Sequence, residues 1–175
     1  MKKFKLYHGG KNEFTAFSLN YLGTNGTAQG AGVYLTPAKE IAEMYAEGGF
    51  LYTVSVSLEE ELSLTDITIP KNVLSKIINI LHKSIDILNI INDVEFFGEE
   101  IVRNEMIDLL QGNESDVDLY NDLVNISGDA QAVAEAFQCA GRYTHIVAHE
   151  QTRLKGEVII VLNPRLIEIL EIESV

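Results

Sequence analysis

The run of sequence that decides the fold lies around residue 160 and reads Gly156-Glu157-Val158-Ile159-Ile160-Val161-Leu162. After Glu157 every residue in this run is apolar, so an extended chain here has no polar face. Strands that are apolar on both faces are typical of the buried middle of a sheet. The run therefore predicts a central β-strand that begins with an acidic residue.

Five other segments have the alternating or β-branched patterns of strands. They are residues 4–7, 32–36, 51–57, 145–148 and 167–172. The first is predicted to end in a loop at His8-Gly9-Gly10, and the third is expected to continue over residues 62–69. Because these strands lie toward the two ends of the chain, strands that are distant in sequence must pair.

The middle of the chain has helical spacing instead. Apolar residues recur at intervals of three and four over residues 73–91, 98–110, 115–126 and 129–140. Ser115 and Gly128 are start and stop signals, and Gly141 suits a helix end. A shorter helix is predicted over residues 38–46, with Thr36 as its N-cap and Pro37 in its first turn.

Strands at both ends with helices between them predict an α+β fold. A chain of 175 residues has the usual size of one domain, so we expect a single domain over residues 1–175. Within it, residues 72–126 are expected to form a helical insertion.

The composition is that of a folded protein with a strong negative charge. Apolar residues make up 46% and charged residues 22%, and the formal net charge is -13. This charge disfavours a nucleic-acid partner, because nonspecific binding to phosphates draws on many Lys and Arg contacts. No signal peptide or membrane segment is expected, and the single Cys139 suits a reducing cytoplasm.

A set of polar and aromatic residues occurs in a fixed order along the chain. The set is Tyr7-His8-Gly9-Gly10, Gly30-Ala31-Gly32-Val33-Tyr34, Tyr45 eleven residues after Tyr34, and Glu157. Taken singly, a His at a strand end or a Tyr in an apolar run is most simply structural. Together, the order and the spacing point to one site.

This set resembles the ADP-ribosyltransferases of the diphtheria-toxin and poly(ADP-ribose) polymerase type, which carry a His-Tyr-Glu triad. The resemblance covers residues 4–57 and 143–172 and implies split antiparallel β-sheets that form an NAD cleft. It implies that His8 binds the adenosine ribose, that the backbone of Gly9 holds the nicotinamide amide, and that Tyr34 and Tyr45 enclose the nicotinamide ring. Glu157 then matches the catalytic glutamate, and His8, Tyr34 and Glu157 form the catalytic set.

The physical chemistry of NAD agrees with this assignment. NAD is an anion with two aromatic ends, so an acidic protein can bind it through backbone donors, ring stacking and a few aimed polar groups. Cleavage of its glycosidic bond builds positive charge on the ribose. A carboxylate such as Glu157 stabilises that charge more in the transition state than in the ground state.

Three positions depart from the family pattern. Ala42 stands where many polymerases have a Ser that bonds the nicotinamide carbonyl, so we expect that amide to be held less tightly. Gly10 stands where Ser or Thr is common. Lys155 stands two residues before Glu157, where arginine-modifying toxins have Glu and several relatives have Gln, so arginine is disfavoured as the acceptor.

The segment before Glu157 is where the family presents the acceptor, and here it contains Gln151, Arg153 and Lys155. Its two basic residues could contact an acidic target or the NAD diphosphate, or form a solvated turn. Glu150 is the alternative catalytic carboxylate. His145 and His149 share a strand face, but without Cys or carboxylate ligands at metal spacing we expect no metal site.

The resemblance implies a mono-ADP-ribosyltransferase that consumes NAD as co-substrate, releases nicotinamide and modifies a macromolecule, with a protein as the expected target. Two alternatives stay open, namely an NAD glycohydrolase and a catalytically silent NAD- or ADP-ribose-binding module that blocks a protein partner. By analogy, the enzyme would serve as a cytoplasmic effector or toxin of a bacterium or phage, or as an inhibitor of a host defence.

Overall fold

The computed structural model describes residues 2–21, 30–85, 87, 98–150 and 156–175, with only the backbone described at residues 21, 149 and 150. The chain forms two compact units: residues 1–61 with 144–175, and residues 62–143. The first unit carries two β-sheets and one helix, and the second is helical. The α+β class is confirmed. The helical unit is wider than the insertion expected over residues 72–126, and the single domain stays a prediction.

The first unit contains two β-sheets. One has the order β1-β3-β7, built from Lys2–Gly10, Phe50–Leu58 and Ile167–Ser174. The other has the order β2-β6-β5-β4, built from Val33–Leu35, Gly156–Val161, Tyr143–Glu150 and Glu60–Glu61. Strands from the two ends of the chain pair in both sheets, as predicted. The apolar run that begins with Glu157 is β6, which has a neighbour on each side, so the prediction of a central strand is confirmed.

The first strand is longer than the sequence predicts. His8, Gly9 and Gly10 were expected in a loop, but they continue β1 and pair with Tyr52, Leu51 and Phe50 of β3. The reason is that β3 itself runs for nine residues, so partners are available along the whole of β1. His8 is therefore held in a regular sheet and not in a loop.

The expected strand over residues 62–69 is absent from the described structure, where β4 ends at Glu61. This segment belongs to the helical unit, and the Asp116 carboxylate satisfies its backbone. Asp116 is fully buried and accepts hydrogen bonds from the amides of Thr68 and Ile69, at 2.8 and 3.1 Å, and from that of Ser63. Because a buried side chain meets the need for backbone partners, no strand ladder is required.

Helix α1 spans Lys39–Ala46 and packs on β1. Thr36 was predicted as its N-cap, but the helix begins after Ala38, so Thr36 lies two residues before the N-cap position. Ala38 makes no side-chain cap bond. The Thr36 hydroxyl does accept a hydrogen bond from the Ala38 amide, at 3.2 Å. Thr36 thus shapes the turn that leads into the helix without capping it.

The helical unit contains α2 (Lys71–Ile85), α3 (Glu99–Leu110), α4 (Asp116–Ser127) and α5 (Ala130–Gly141). Ser115 caps α4 and Gly128 ends it at a φ of 66°, so both signals are confirmed. At the end of α5 it is Arg142, not Gly141, that takes the left-handed conformation, with a φ of 63°. Gly141 is needed for space, because a Cβ there would collide with the Tyr143 ring.

Leucine and isoleucine side chains of α2 form the middle of the helical core. The fully buried side chains in this unit include Leu74, Ile77, Ile78 and Leu81 of α2 with Leu119, Leu123 and Phe137 of α4 and α5. None of the helices in the described ranges has both the length and the apolar character needed to cross a membrane.

Candidate functional site

The two sheets of the first unit meet at one antiparallel bridge between Tyr7 of β1 and Thr36, which follows β2. The Tyr7 amide donates to the Thr36 carbonyl at 2.8 Å, and the Thr36 amide donates to the Tyr7 carbonyl at 2.9 Å. Three residues of the predicted site lie beside this bridge or are bonded to it. They are His8, Tyr34 and Glu157.

His8 is tied to the other sheet by its ring. Its Nδ1 lies 2.9 Å from the carbonyl oxygen of Tyr34. A carbonyl oxygen only accepts, so Nδ1 carries the hydrogen. Burial lowers the pKa of His8, and the bond to Tyr34 offsets this only in part. The imidazole is therefore neutral near pH 7, and its Nε2 is the nitrogen that accepts hydrogen bonds.

Tyr34 is half-buried in β2, and its hydroxyl donates to the Gly30 carbonyl at 3.0 Å. This bond fixes the ring against the glycine-rich approach to the strand. In the sheet, Tyr34 pairs with Ile160 of β6. The structure therefore brings Tyr34 and His8 together through the Tyr34 backbone.

Glu157 joins the same group through its backbone. The Thr36 hydroxyl donates to the Glu157 carbonyl at 2.9 Å, so the start of β6 is fixed to the sheet junction. Glu157 itself is exposed. Tyr34 pairs with Ile160, three residues further on, so alternation assigns the side chains of Glu157 and Tyr34 to opposite faces of this sheet. Glu157 is the second residue of β6, so it lies near the start of that strand.

His145 of β5 is affected by the charge of Glu157. His145 is buried, and its Nδ1 lies 3.1 Å from the Thr144 hydroxyl. Burial lowers the pKa of His145, while a hydrogen bond to the Glu60 backbone and the charges of Glu157 and Glu60 raise it by less. A neutral histidine is thus packed within electrostatic reach of the predicted catalytic carboxylate.

Helix α1 packs against Gly9 of β1 and carries Tyr45. A Cβ at Gly9 would lie 2.6 Å from the Ala46 amide nitrogen and would collide with the Ala42 carbonyl, so only glycine lets α1 approach β1 this closely. Ala42 is itself buried in this contact. Tyr45 lies on α1 with 44% of its surface exposed, which leaves ring area available to a ligand. That it encloses a ring together with Tyr34 stays a prediction.

An aromatic cluster around His8 was missed in the sequence. Phe14 and Phe17 approach the His8 ring, with centroid distances of 5.9 and 5.1 Å, and Tyr52 lies at 5.8 Å. Phe14 and Phe17, three residues apart and shortly after His8-Gly9-Gly10, were a visible signal. Tyr52 was not visible in this way, because only the pairing of β1 with β3 brings it opposite His8.

Part of the predicted site lies outside the described residues. Gln151, Arg153 and Lys155 are among the residues that are not described, and the side chains of His149 and Glu150 are not described either. The role of this segment in presenting an acceptor therefore stays a prediction. Within the described ranges, no group of three or more His, Cys, Asp or Glu side chains is arranged to hold a metal ion.

Comparison with known protein families, with curated proteins and with solved structures finds no match for this chain. Any function must therefore be argued from the residues of the site and from their geometry.

Proposed function

We propose that this protein is a mono-ADP-ribosyltransferase that binds NAD where its two sheets meet. The observation that carries the proposal is the bond from His8 to the Tyr34 carbonyl beside the Tyr7–Thr36 bridge. Thr36 extends the same connection to Glu157. Three residues that are distant in sequence, and that match the His-Tyr-Glu order, thus belong to one bonded group.

NAD would be held by backbone donors, aromatic rings and a few polar side chains, because the chain has a net charge of -13. The Nε2 of His8 would accept a hydrogen bond from a ribose hydroxyl. Tyr34 and Tyr45 would stack on the cationic nicotinamide ring, at about 1–2 kcal/mol for each ring. The backbone of Gly9 would bind the nicotinamide amide. Ala42 has no hydroxyl to add to that contact.

In the reaction, the bond between the ribose C1′ and the nicotinamide nitrogen breaks, and nicotinamide leaves with the bonding electrons. The ribose develops oxocarbenium-like positive charge, which the Glu157 carboxylate would stabilise. A nucleophile of the target then bonds to C1′ from the opposite face and loses its proton to solvent. Removing one such stabilising group costs about 10²–10³ in turnover in other enzymes.

The expected acceptor is a side chain of a protein target, presented near the segment with Gln151, Arg153 and Lys155. Lys155 occupies the position where arginine-modifying relatives have Glu, so we do not expect an arginine acceptor. By analogy with small members of the resembled family, the protein would act as a bacterial or phage effector or toxin, or against a host defence.

The proposal is tested with biotin-labelled NAD and a bacterial lysate. Wild type, Glu157→Gln and the control Glu171→Gln are compared by blotting and by mass spectrometry of labelled bands. Glu171 is an exposed glutamate of β7, in the sheet that does not contain Glu157, so its change removes the same charge without altering the proposed catalytic residue. We expect labelled bands with wild type and Glu171→Gln, and at least about 10²-fold less label with Glu157→Gln.

Release of nicotinamide, followed by chromatography, separates the alternatives. Nicotinamide release without labelled protein would identify an NAD glycohydrolase. Binding of NAD with neither label nor release would identify the silent binding module. Equal labelling by wild type and Glu157→Gln would contradict the proposed role of Glu157.

A further inference from the structure

The His8 ring is enclosed by aromatic side chains that no step of the proposed reaction uses. The Phe17 ring meets it nearly at a right angle, with an interplanar angle of 85°, and Phe14 meets it at 64°. Tyr52 faces it from β3. Edge-to-face contacts of this kind define both the place and the tilt of a ring.

Tyr52 holds this cluster together through its hydroxyl. The hydroxyl accepts a hydrogen bond from the Phe14 amide at 2.8 Å and donates one to the Asn12 carbonyl at 3.0 Å. The Phe14 ring stacks on the Tyr52 ring with centroids 4.2 Å apart and an angle of 14°. Tyr52 is itself fully buried. A single side chain thus fixes the segment that carries both phenylalanines.

The arrangement leaves one polar atom of His8 for a ligand. Nδ1 is committed to the Tyr34 carbonyl, and the rings of Phe14, Phe17 and Tyr52 pack around the imidazole. A Cβ at Gly10 would lie 3.6 Å from Nε2, so the glycine leaves the space beside Nε2 clear. Low polarity around the ring disfavours its charged form.

We propose that Tyr52, acting with Phe14 and Phe17, is a positioning residue that keeps His8 as the neutral Nδ1–H tautomer, with Nε2 aimed at a ligand hydroxyl. The identification of that hydroxyl as a ribose group of NAD rests on the proposed function. The state of His8 in the free protein does not. The two claims can therefore be tested separately.

The test is nitrogen-15 NMR of the histidine side chains over a pH titration without NAD, on wild type, Tyr52→Phe and Tyr120→Phe. Tyr120→Phe is the matched control, because the Tyr120 hydroxyl is buried in the helical unit and has no hydrogen-bond partner in the described structure. Tyr52→Phe removes a hydroxyl with two partners. Phe17→Leu removes the nearest ring edge while preserving an apolar side chain.

We expect wild-type His8 to be the Nδ1–H tautomer with a pKa below its ordinary value of 6.5. In Tyr52→Phe and Phe17→Leu the pKa should move toward that value and the Nε2–H tautomer should appear, while Tyr120→Phe should match wild type. Where transfer is observed, KM for NAD should rise about tenfold in Tyr52→Phe with little change in kcat. An Nε2–H tautomer in wild type, or an unchanged His8 in both site variants, would overturn the proposal even if transfer is confirmed.

Discussion

Gly9 and Gly10 are neighbours in β1, but they differ in the space available for a side chain. At Gly9 the space for a side chain is taken by the backbone of α1, while at Gly10 the nearest atom to an added Cβ is 3.5 Å away. The resemblance assigns the backbone of Gly9 to the nicotinamide amide. The contact with α1 is a second reason for glycine at this position, and it does not depend on a ligand.

This difference predicts the effect of adding one methyl group at each position. Gly9→Ala should lower the free energy of unfolding by about 1–3 kcal/mol, because α1 must move away from β1. Gly10→Ala should change it by less than about 0.5 kcal/mol. Urea denaturation followed by far-ultraviolet circular dichroism measures both. Equal stability of the two variants would show that α1 does not pack on Gly9 in this way.

At the scale of the elements, the hydrophobic pattern of the sequence predicted the structure well where buried residues recur with a single period. The apolar run of β6 and the capped helix α4 were predicted from the sequence because a central strand and a Ser-to-Gly helix have strong local signals. The run over residues 62–69 was misread as a strand, because only Leu62 and Ile69 of its apolar residues are buried and three of its amides donate to Asp116, a residue distant in sequence.

The site was predictable in part for the same reason. His8, Tyr34 and Glu157 were predicted as site residues from the sequence, because the segments around them resemble motifs of a known family. Tyr52 lies in an ordinary alternating strand, and its role arises only from pairing with His8. Thr36 was read as a helix cap, although its hydroxyl donates to the carbonyl of a residue far along the chain. Long-range hydrogen bonds of this kind leave no local signal.

Substitution of Thr36 tests the junction between β2, β6 and α1. Thr36→Val keeps the shape of the side chain but removes its bonds to Glu157 and Ala38. We expect a loss of about 1–2 kcal/mol in the free energy of unfolding, because the Glu157 carbonyl and the Ala38 amide lose a partner. Transfer activity should fall further in Thr36→Val than in the control Thr15→Val, which changes an exposed residue. Wild-type activity in Thr36→Val would show that the junction does not position Glu157.

At the scale of the whole molecule, the half-buried His8 and the buried His145 make stability depend on pH. Burial lowers the pKa of both His8 and His145. Below about pH 6.5 the unfolded chain therefore binds more protons at these residues than the folded chain does. The free energy of unfolding should therefore keep the whole of this contribution above pH 6.5 and should fall as the pH drops from about 6.5 to 5.5. This pH range lies above the one in which most carboxylates titrate.

Urea titrations at several pH values measure this dependence. The free energy of unfolding should change less with pH in His8→Gln and in His145→Gln than in wild type, because each variant removes one of the two titrating side chains. A stability that is constant, or that rises, between pH 6.5 and 5.5 would contradict the burial of neutral histidines.

The central claim is that NAD binds where the two sheets meet. The most direct measurement is titration of nitrogen-15-labelled protein with NAD up to about 1 mM, the upper end of usual KM values, with backbone amide shifts recorded by NMR. The account predicts the largest changes at His8, Tyr34, Thr36 and Glu157, with the amides of α2 to α5 unaffected. Changes confined to the helical unit, or no change at any amide, would contradict it.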